Sequence, residues 1–561
     1  MRKLAATLAV VMGMLALAAS PAGAALPQAQ MIRDVNPGPS GSSLDLFAPL
    51  GDRFLGFGTT VETGDEPIVV GPGSTLVVGD INPGFKSSGG GSPVALGGEV
   101  YFSAYDETHG NELWKTNGST FELVKDINPG PDSSYPSELV ALGDFVYFNA
   151  EDASHGPELY RAGPGGVTMV ADIEPGPVGS YPYYLTAMGG HVYFQAYTIA
   201  DGAELWRTDG TNTTMVADIF PGGNSSYPYD LTAAGNTLYF VATTAGEGVE
   251  VHKTNGVGQT LLGDINPGIE GSYPSSLEAF GNSIVFYAFE PTAGGEPWIS
   301  DGGAPHRVAD LNPGPDGSNP SYITTVGDRY YFSAQTPETG YEPWSGDASG
   351  ASMVTDLVPG EESSAPYDFQ NLNGRPYFSA WTPETGSEPW IVDGGSARLV
   401  RDILPGPSGS DPYDPVSFGG SLLITADDGV HGFEPWRLFP DQEIRVRLIG
   451  KRAGVSKKGF AGLRLACPAS EANGPCRVKV TVKTRKKVRV GKKRRKLTFA
   501  SKSLAVKVGT TGMARLDFGK SKIALLRRSA AARKVTVIVV ARDNIGNRRT
   551  TRTAFVLGRP A

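Results

Sequence analysis

Between residues 172 and 218 the chain alternates short apolar runs with turn residues at the spacing of short strands. Tyr184-Leu185-Thr186-Ala187 reads as a first strand, ended by Gly189-Gly190. His191-Val192-Tyr193-Phe194-Gln195-Ala196-Tyr197 follows, rich in the β-branched and aromatic residues that suit a pleated surface. A loop through Gly202 leads to Glu204-Leu205-Trp206-Arg207-Thr208. The Asp209-Gly210 pair then marks a hairpin turn before a fourth strand at Thr214-Met215-Val216-Ala217. Four antiparallel strands joined by tight turns in 46 residues predict one propeller blade.

The pattern recurs. Asp-x-x-Pro-Gly appears nine times at steps of 46 residues, with its carboxylate at Asp34, Asp80, Asp126, Asp172, Asp218, Asp264, Asp310, Asp356 and Asp402. Gly-x-Glu keeps the same beat at Glu66, Glu112, Glu158, Glu204, Glu250, Glu296, Glu342, Glu388 and Glu434. A fixed period of this length is the signature of a repeat architecture. The expected fold is therefore all-β: a nine-bladed β-propeller of four-stranded repeats over residues 25–441. Eight blades with one divergent unit is the alternative, because 44–78 matches the repeat weakly. After Trp436 the last repeat lacks its fourth strand, and Gln30-Met31-Ile32-Arg33 can supply it. That exchange would lock the ring and remove two free sheet edges.

In an up-and-down meander the Asp-x-x-Pro-Gly links and the Gly-x-Glu loops lie at one end, so one rim should display nine Asp and nine Glu. Pro-Gly suits the centre of a type II turn, and the Asp upstream can accept N–H groups there. The first assignment of both carboxylate sets is structural, as latches between blades. The alternative is a ring holding Ca²⁺, which suits hard-cation chemistry but comes without any Asp-x-Asp-x-Asp-Gly loop. No other cofactor is expected. Two residues after seven of the Glu stands Trp114, Tyr160, Trp206, Trp298, Trp344, Trp390 or Trp436, read as wedges between blades, while Ile68 and His252 take the slot in the other two repeats. His109, His155 and His431 share a turn slot. No asymmetric set of acid, base and nucleophile stands out, so no catalytic residue is assigned.

Glu204-Leu205-Trp206-Arg207-Thr208-Asp209-Gly210-Thr211 resembles the signature of the ELWxxDGT repeat family, and Glu112-Leu113-Trp114-Lys115-Thr116-Asn117-Gly118-Ser119 is close to it. The resemblance covers about Gln30 to Phe439, and later units depart through Glu-Pro-Trp. It implies a secreted or surface-associated β-propeller and carries over no catalytic residue.

The chain ends change the picture. Arg2 and Lys3, the apolar stretch Leu4 to Ala19 and Ala22-Gly23-Ala24 read as a secretory signal peptide over residues 1–24. No later apolar run approaches the length of a spanning helix. The two cysteines, Cys467 and Cys476, are expected to form a disulfide in an oxidising compartment. The net charge of −9 conceals a division. Residues 25–441 carry 14 basic and 54 acidic groups, whereas 442–561 carry 33 basic and 4 acidic. Two domains follow from that asymmetry. In the second, Arg477-Val478-Lys479-Val480-Thr481-Val482-Lys483 alternates with period two, and six or seven strands are expected in all. A small β-sandwich results. Through Ala466-Cys467-Pro468, Cys476 and Ala541-Arg542-Asp543-Asn544-Ile545-Gly546-Asn547 the segment resembles the basic Ig-like modules of secreted bacterial proteins.

Lys483 to Lys496 holds ten Lys or Arg residues and reads as a hairpin tip or loop. Export makes nucleic acid a poor partner for it. An anionic cell-envelope polymer, lipid headgroups or the acidic domain fit better. The expected function is that of a secreted, non-enzymatic binding or scaffold protein at or near the cell surface. Its propeller would recognise a protein or glycan, and the basic domain would act as an electrostatic tether. The alternative is an extracellular propeller glycan hydrolase or lyase with its site in the central depression.

Overall fold

The computed structural model describes residues 28–71, 76–439, 446–467, 476–490, 493–507, 510–542 and 548–560. The expected signal peptide, 1–24, lies outside them. Two compact units meet between Pro440 and Asp441, where the charge pattern predicts a boundary. No helix among the described residues is long and apolar enough to cross a membrane.

The acidic unit is built from four-stranded antiparallel sheets, nine among the described residues, an arrangement consistent with a β-propeller. Eight take their strands in chain order. Tyr183–Met188, His191–Thr198, Gly202–Thr208 and Thr213–Ala217 form one of them, as the apolar pattern predicts. The span whose sequence departs most from the repeat forms a sheet like the others, from Asp45–Leu50, Arg53–Gly58, Glu66–Val70 and Leu76–Val78.

The ninth sheet is assembled from both ends of the unit. Gln28–Met31 pairs antiparallel with Phe433–Phe439, placing Met31 opposite Trp436. The Ile32 N–H donates to the Pro435 carbonyl at 2.8 Å. Each sheet's first strand touches the first strand of the next, and Tyr413–Phe418 touches Asp45–Leu50. The sheets therefore close into a cycle.

The core lies between neighbouring sheets. Phe102, Phe148, Phe194, Phe240, Phe286, Phe332 and Phe378 stand at one slot of the second strands and are fully buried. Tyr101 and Leu113 of one sheet pack with Val146, Phe148, Ala150 and Tyr160 of the next. Trp298 packs with Tyr239, Val241 and Val251 of the preceding sheet, so its ring works as the expected wedge. Each buried aromatic contributes about 1.5–3 kcal/mol by leaving water. No single sheet could bury its faces alone, which makes closure a condition of stability.

The basic unit has a five-stranded sheet in the order Arg452–Ala453, Arg548–Leu557, Lys534–Arg542, Cys476–Thr484, Thr498–Val506. A three-stranded sheet runs in the order Arg447–Ile449, Phe460–Ala466, Thr511–Asp517. Leu463, Leu465 and Leu516 of the smaller sheet share one core with Val478, Val480, Val535 and Val537 of the larger. Val488–Val490 and Lys493–Arg495 form a separate hairpin, where the basic run predicts a hairpin tip.

Ten strands are present among the described residues, more than the six or seven expected. The helix Gly519–Arg528 was not anticipated either. Its Ile523 and Leu526 are buried at a helical spacing of three. That signal was too short to register beside the period-two pattern around it. Cys467 is buried and no free cysteine occurs among the described residues. Residues 468–475 and the Cys476 side chain lie outside them.

Removing residues through Met31 tests the closure. The shortened chain should melt well below the parent and associate at micromolar concentration, because it exposes an unpaired edge along Phe433–Phe439. An unchanged melting temperature with a monomeric sedimentation profile would contradict it.

Candidate functional site

The Gly-x-Glu loop turns the chain into the third strand of each sheet, and its glycine is placed by sterics. At Gly202, φ is +76° and a Cβ would come within 1.9 Å of the Asn224 carbonyl oxygen. A side chain there would push the next linker away. The Glu two residues later points into that linker. All nine Glu are 0% exposed.

Each Glu grips the Asp-x-x-Pro-Gly link between its own sheet and the next. Glu204 Oε2 accepts the Ile219 N–H at 2.8 Å and the Ser226 hydroxyl at 2.7 Å. Its Oε1 accepts the N–H groups of Phe220 at 3.4 Å and Ser226 at 3.0 Å. Glu434 does the same across the chain ends, taking Val35 N–H and Asn36 N–H at 3.0 Å and the Ser42 hydroxyl at 2.7 Å. The expected latch between blades is thus formed by the glutamates.

The rim expectation needs correcting for this set. Glutamate is not displayed, because its oxygens are turned inward and occupied by N–H and O–H donors. The nine Glu cannot serve as a surface cation ring. Among the described residues no group of three or more His, Cys, Asp and Glu is placed to hold a metal ion.

The aspartates behave differently. Asp80, Asp172, Asp218, Asp264, Asp310 and Asp356 are exposed, while Asp34, Asp126 and Asp402 are half-buried. Asp80 and Asp126 accept the N–H of Gly84 and Gly130 within their own turns, at 3.2 Å. These turn glycines have positive φ, from 86° at Gly222 to 126° at Gly38, as a type II turn requires. Asp80 and Asp126 thus brace their own turns rather than gripping the neighbouring sheet as the glutamates do.

Sequence reasoning missed the partner of the glutamate. Ser42, Ser88, Ser134, Ser180, Ser226, Ser272, Ser318, Ser364 and Ser410 are all nearly or fully buried, and each donates its hydroxyl to a Glu at 2.6–2.7 Å. They lie eight residues after each Asp, on the same 46-residue beat. Serine abundance in loops hid them. The histidines of the shared slot close a turn: His109, His155 and His431 hold Asp106, Asp152 and Asp428 at 2.8–2.9 Å. Thr336 with Thr339, and Thr382 with Thr385, do so elsewhere. His252 stacks on Phe240 at 5.7 Å and is fully buried in the wedge slot.

Departures from symmetry gather where the first strands begin. Every first strand carries an irregularity near its start. There Ser92, Glu138, Tyr184, Asp230, Ser276, Tyr322, Asp368 and Asp414 adopt positive φ of 50–59°. Glu138 accepts the Tyr184 N–H at 2.7 Å, and Asp230 accepts the Leu277 N–H at 2.9 Å. On the Asp368 and Asp414 side, Pro415 occupies the position of Leu277 and has no N–H to give. A cavity of about 330 Å³ opens here, lined by Phe47, Pro93, Asp368, Gln370, Asp414 and Val416 among others. Beside it burial, then Asp414 and Asp65, push Asp45 up to about 6.

The chain matches no family model, and no curated protein is similar to it. Solved structures match it in part. A puromycin hydrolase is 14% identical over 60% of this chain and 58% of its own, with a TM-score of 0.30. A lectin from Burkholderia pseudomallei is 12% identical over 54% and 97%, with a TM-score of 0.29. Saccharomyces cerevisiae Sqt1 is 13% identical over 63% and 95%, with a TM-score of 0.32. The chain thus spans little over half the length of that hydrolase. At these scores none of the three bears on activity.

Two substitutions check the latch. Glu204→Gln turns an amide N–H₂ toward donors that need an acceptor, so it should cost about 1–3 kcal/mol. Ser226→Ala should cost somewhat less, about 1–2 kcal/mol. Chemical denaturation that leaves both unchanged would contradict the latch. A separate measurement, pH dependence, reads what burying these carboxylates costs. Burial raises all nine Glu above their ordinary range, Glu250 and Glu388 to about 7. The folded state then keeps protons that the unfolded chain releases near 4.5. Stability should be highest near that pH and fall as pH rises toward 7. A melting temperature that rises across this window would contradict it.

Proposed function

We propose that this chain is a secreted, non-enzymatic recognition protein. In this reading the acidic unit is a nine-bladed β-propeller of the ELWxxDGT type, and the basic unit is an Ig-like β-sandwich closed by a Cys467–Cys476 disulfide. The sandwich tethers the protein to an anionic envelope polymer while the propeller meets the ligand.

One observation carries the tether. In the hairpin Val488–Val490/Lys493–Arg495, Arg489 lies directly opposite Arg494. Like charges placed so are destabilising. Lys483, Arg485, Lys486, Lys487, Arg489, Lys493, Arg494, Arg495 and Lys496 are exposed. Asp517 is the one acidic residue among the described residues of this unit. A dense exposed run of cations of this kind attracts an external polyanion. The acidic unit supports the non-enzymatic part, since its repeated glutamates are engaged in holding linkers.

The test uses the mature chain and immobilised polyglycerol phosphate. Binding should weaken steeply with salt. Replacing Lys486, Lys487, Arg489, Arg494 and Arg495 with Gln should reduce it about tenfold or more. Binding that ignores both salt and these substitutions would remove the tether.

A second reading, an extracellular glycan hydrolase or lyase, is favoured by Asp45. A carboxyl pushed up to about 6 and next to Asp414, which lines the cavity, suits a general acid. New reducing ends from a glycan panel, lost in Asp45→Asn, would support that reading. Absence of turnover across the panel would remove it.

A further inference from the structure

Beside the latch, the carbonyl of the residue before each Glu acts on the residue that follows the buried serine. The Ser134 N–H and the Tyr135 N–H both donate to the Asn111 carbonyl, at 3.1 and 3.2 Å. Ser180 and Tyr181 do so to Pro157, Ser226 and Tyr227 to Ala203, and Ser272 and Tyr273 to Val249. Gripping two successive amides turns the second residue left-handed, with φ of 48°, 50°, 44° and 46° at Tyr135, Tyr181, Tyr227 and Tyr273. The same slot elsewhere holds Ser43, Gly89, Asn319, Ala365 and Asp411, all with positive φ.

This backbone favours glycine, and a bulky side chain there is strained. Four consecutive sheets nonetheless carry tyrosine. Packing gives no reason for it, since Tyr135, Tyr181, Tyr227 and Tyr273 are 60%, 42%, 61% and 53% exposed. Tyr184, 46% exposed in the neighbouring irregular slot, lies 6.5 Å from both Tyr183 and Tyr229. Strain held at an exposed position without a packing return is the mark of a site in use.

We propose that this tyrosine arc is a stacking platform for an uncharged, unbranched polysaccharide, which deepens the recognition reading above and rests on it. A repeated ring at one slot of successive sheets matches a polymer with a repeated unit. Tyrosine offers an apolar face to sugar C–H groups and a polar tip to their hydroxyls. The arc is poorly suited to reading a peptide main chain. Each tyrosine N–H is already bonded, and Pro136, Pro182, Pro228 and Pro274 follow with none to offer. Charge selects against anionic glycans, because the unit carries 54 acidic against 14 basic groups over residues 25–441.

The experiment is affinity electrophoresis of the mature chain through gels containing glucomannan, mixed-linkage β-glucan or glycol chitin, with alginate as the anionic control. At least one neutral polymer should retard the protein, at high salt as well as low, and alginate should not. Tyr181→Gly with Tyr227→Gly should weaken that retardation about tenfold or more. The same variant should melt at or above the parental temperature, because glycine relieves the left-handed backbone. No retardation by any neutral polymer overturns the proposal. So does retardation that survives the double substitution, a melting temperature that falls with it, or saturable binding of a proline-rich peptide alone. The hairpin-neutralised protein separates the two readings. It should lose polyglycerol phosphate and keep the neutral glycan, so either can fail alone.

Discussion

Each sheet of the acidic unit depends on a buried carboxylate for its place beside the next. A glutamate fully removed from water is costly unless donors surround it. Here two or three backbone N–H groups of the linker and a serine hydroxyl supply them, as at Glu204. The linker in turn has no regular structure to satisfy those N–H groups, so the two needs cancel. Repeated nine times, the interaction fixes the angle at which one sheet follows another. At Glu434 it joins residues almost 400 apart and becomes the clasp of the cycle.

Most of the fold was legible because two periods coincided. The period-two apolar runs located the strands, and the 46-residue beat of Asp34 to Asp402 and Glu66 to Glu434 located the repeats. The incomplete last repeat after Trp436 and the spare strand before Asp34 foretold the shared ninth sheet. What the residue types could not convey was orientation. Glu and Asp shared a beat and a charge, yet one set is buried and the other mostly exposed. Burial depends on whether donors converge from the next linker, and no composition rule encodes that. The helix Gly519–Arg528 was missed for a plainer reason, since two buried residues make a faint helical stripe.

The candidate site was less legible. Symmetric positions dominate the sequence, so attention falls on residues that build the cycle. The residues that vary from sheet to sheet include the tyrosines at 135, 181, 227 and 273 and the carboxylates at Asp45, Asp368 and Asp414. The linker that the latch holds carries both kinds of position. A loop carbonyl beside each Glu holds the backbone left-handed and leaves the side chain free to vary. A scaffold that is rigid for electrostatic reasons can therefore carry a different surface on each sheet.

Amide hydrogen exchange tests the carboxylate latch most directly. The N–H groups of Ile81, Ile127, Ile173, Ile219 and Ile403 lie in irregular linkers but are bonded to buried Glu oxygens at 2.8–3.1 Å. They should exchange as slowly as amides inside Val192–Thr198 or Leu238–Thr244, through global opening. Exchange at the rate of the exposed turns around Gly97 or Gly143 would contradict the account.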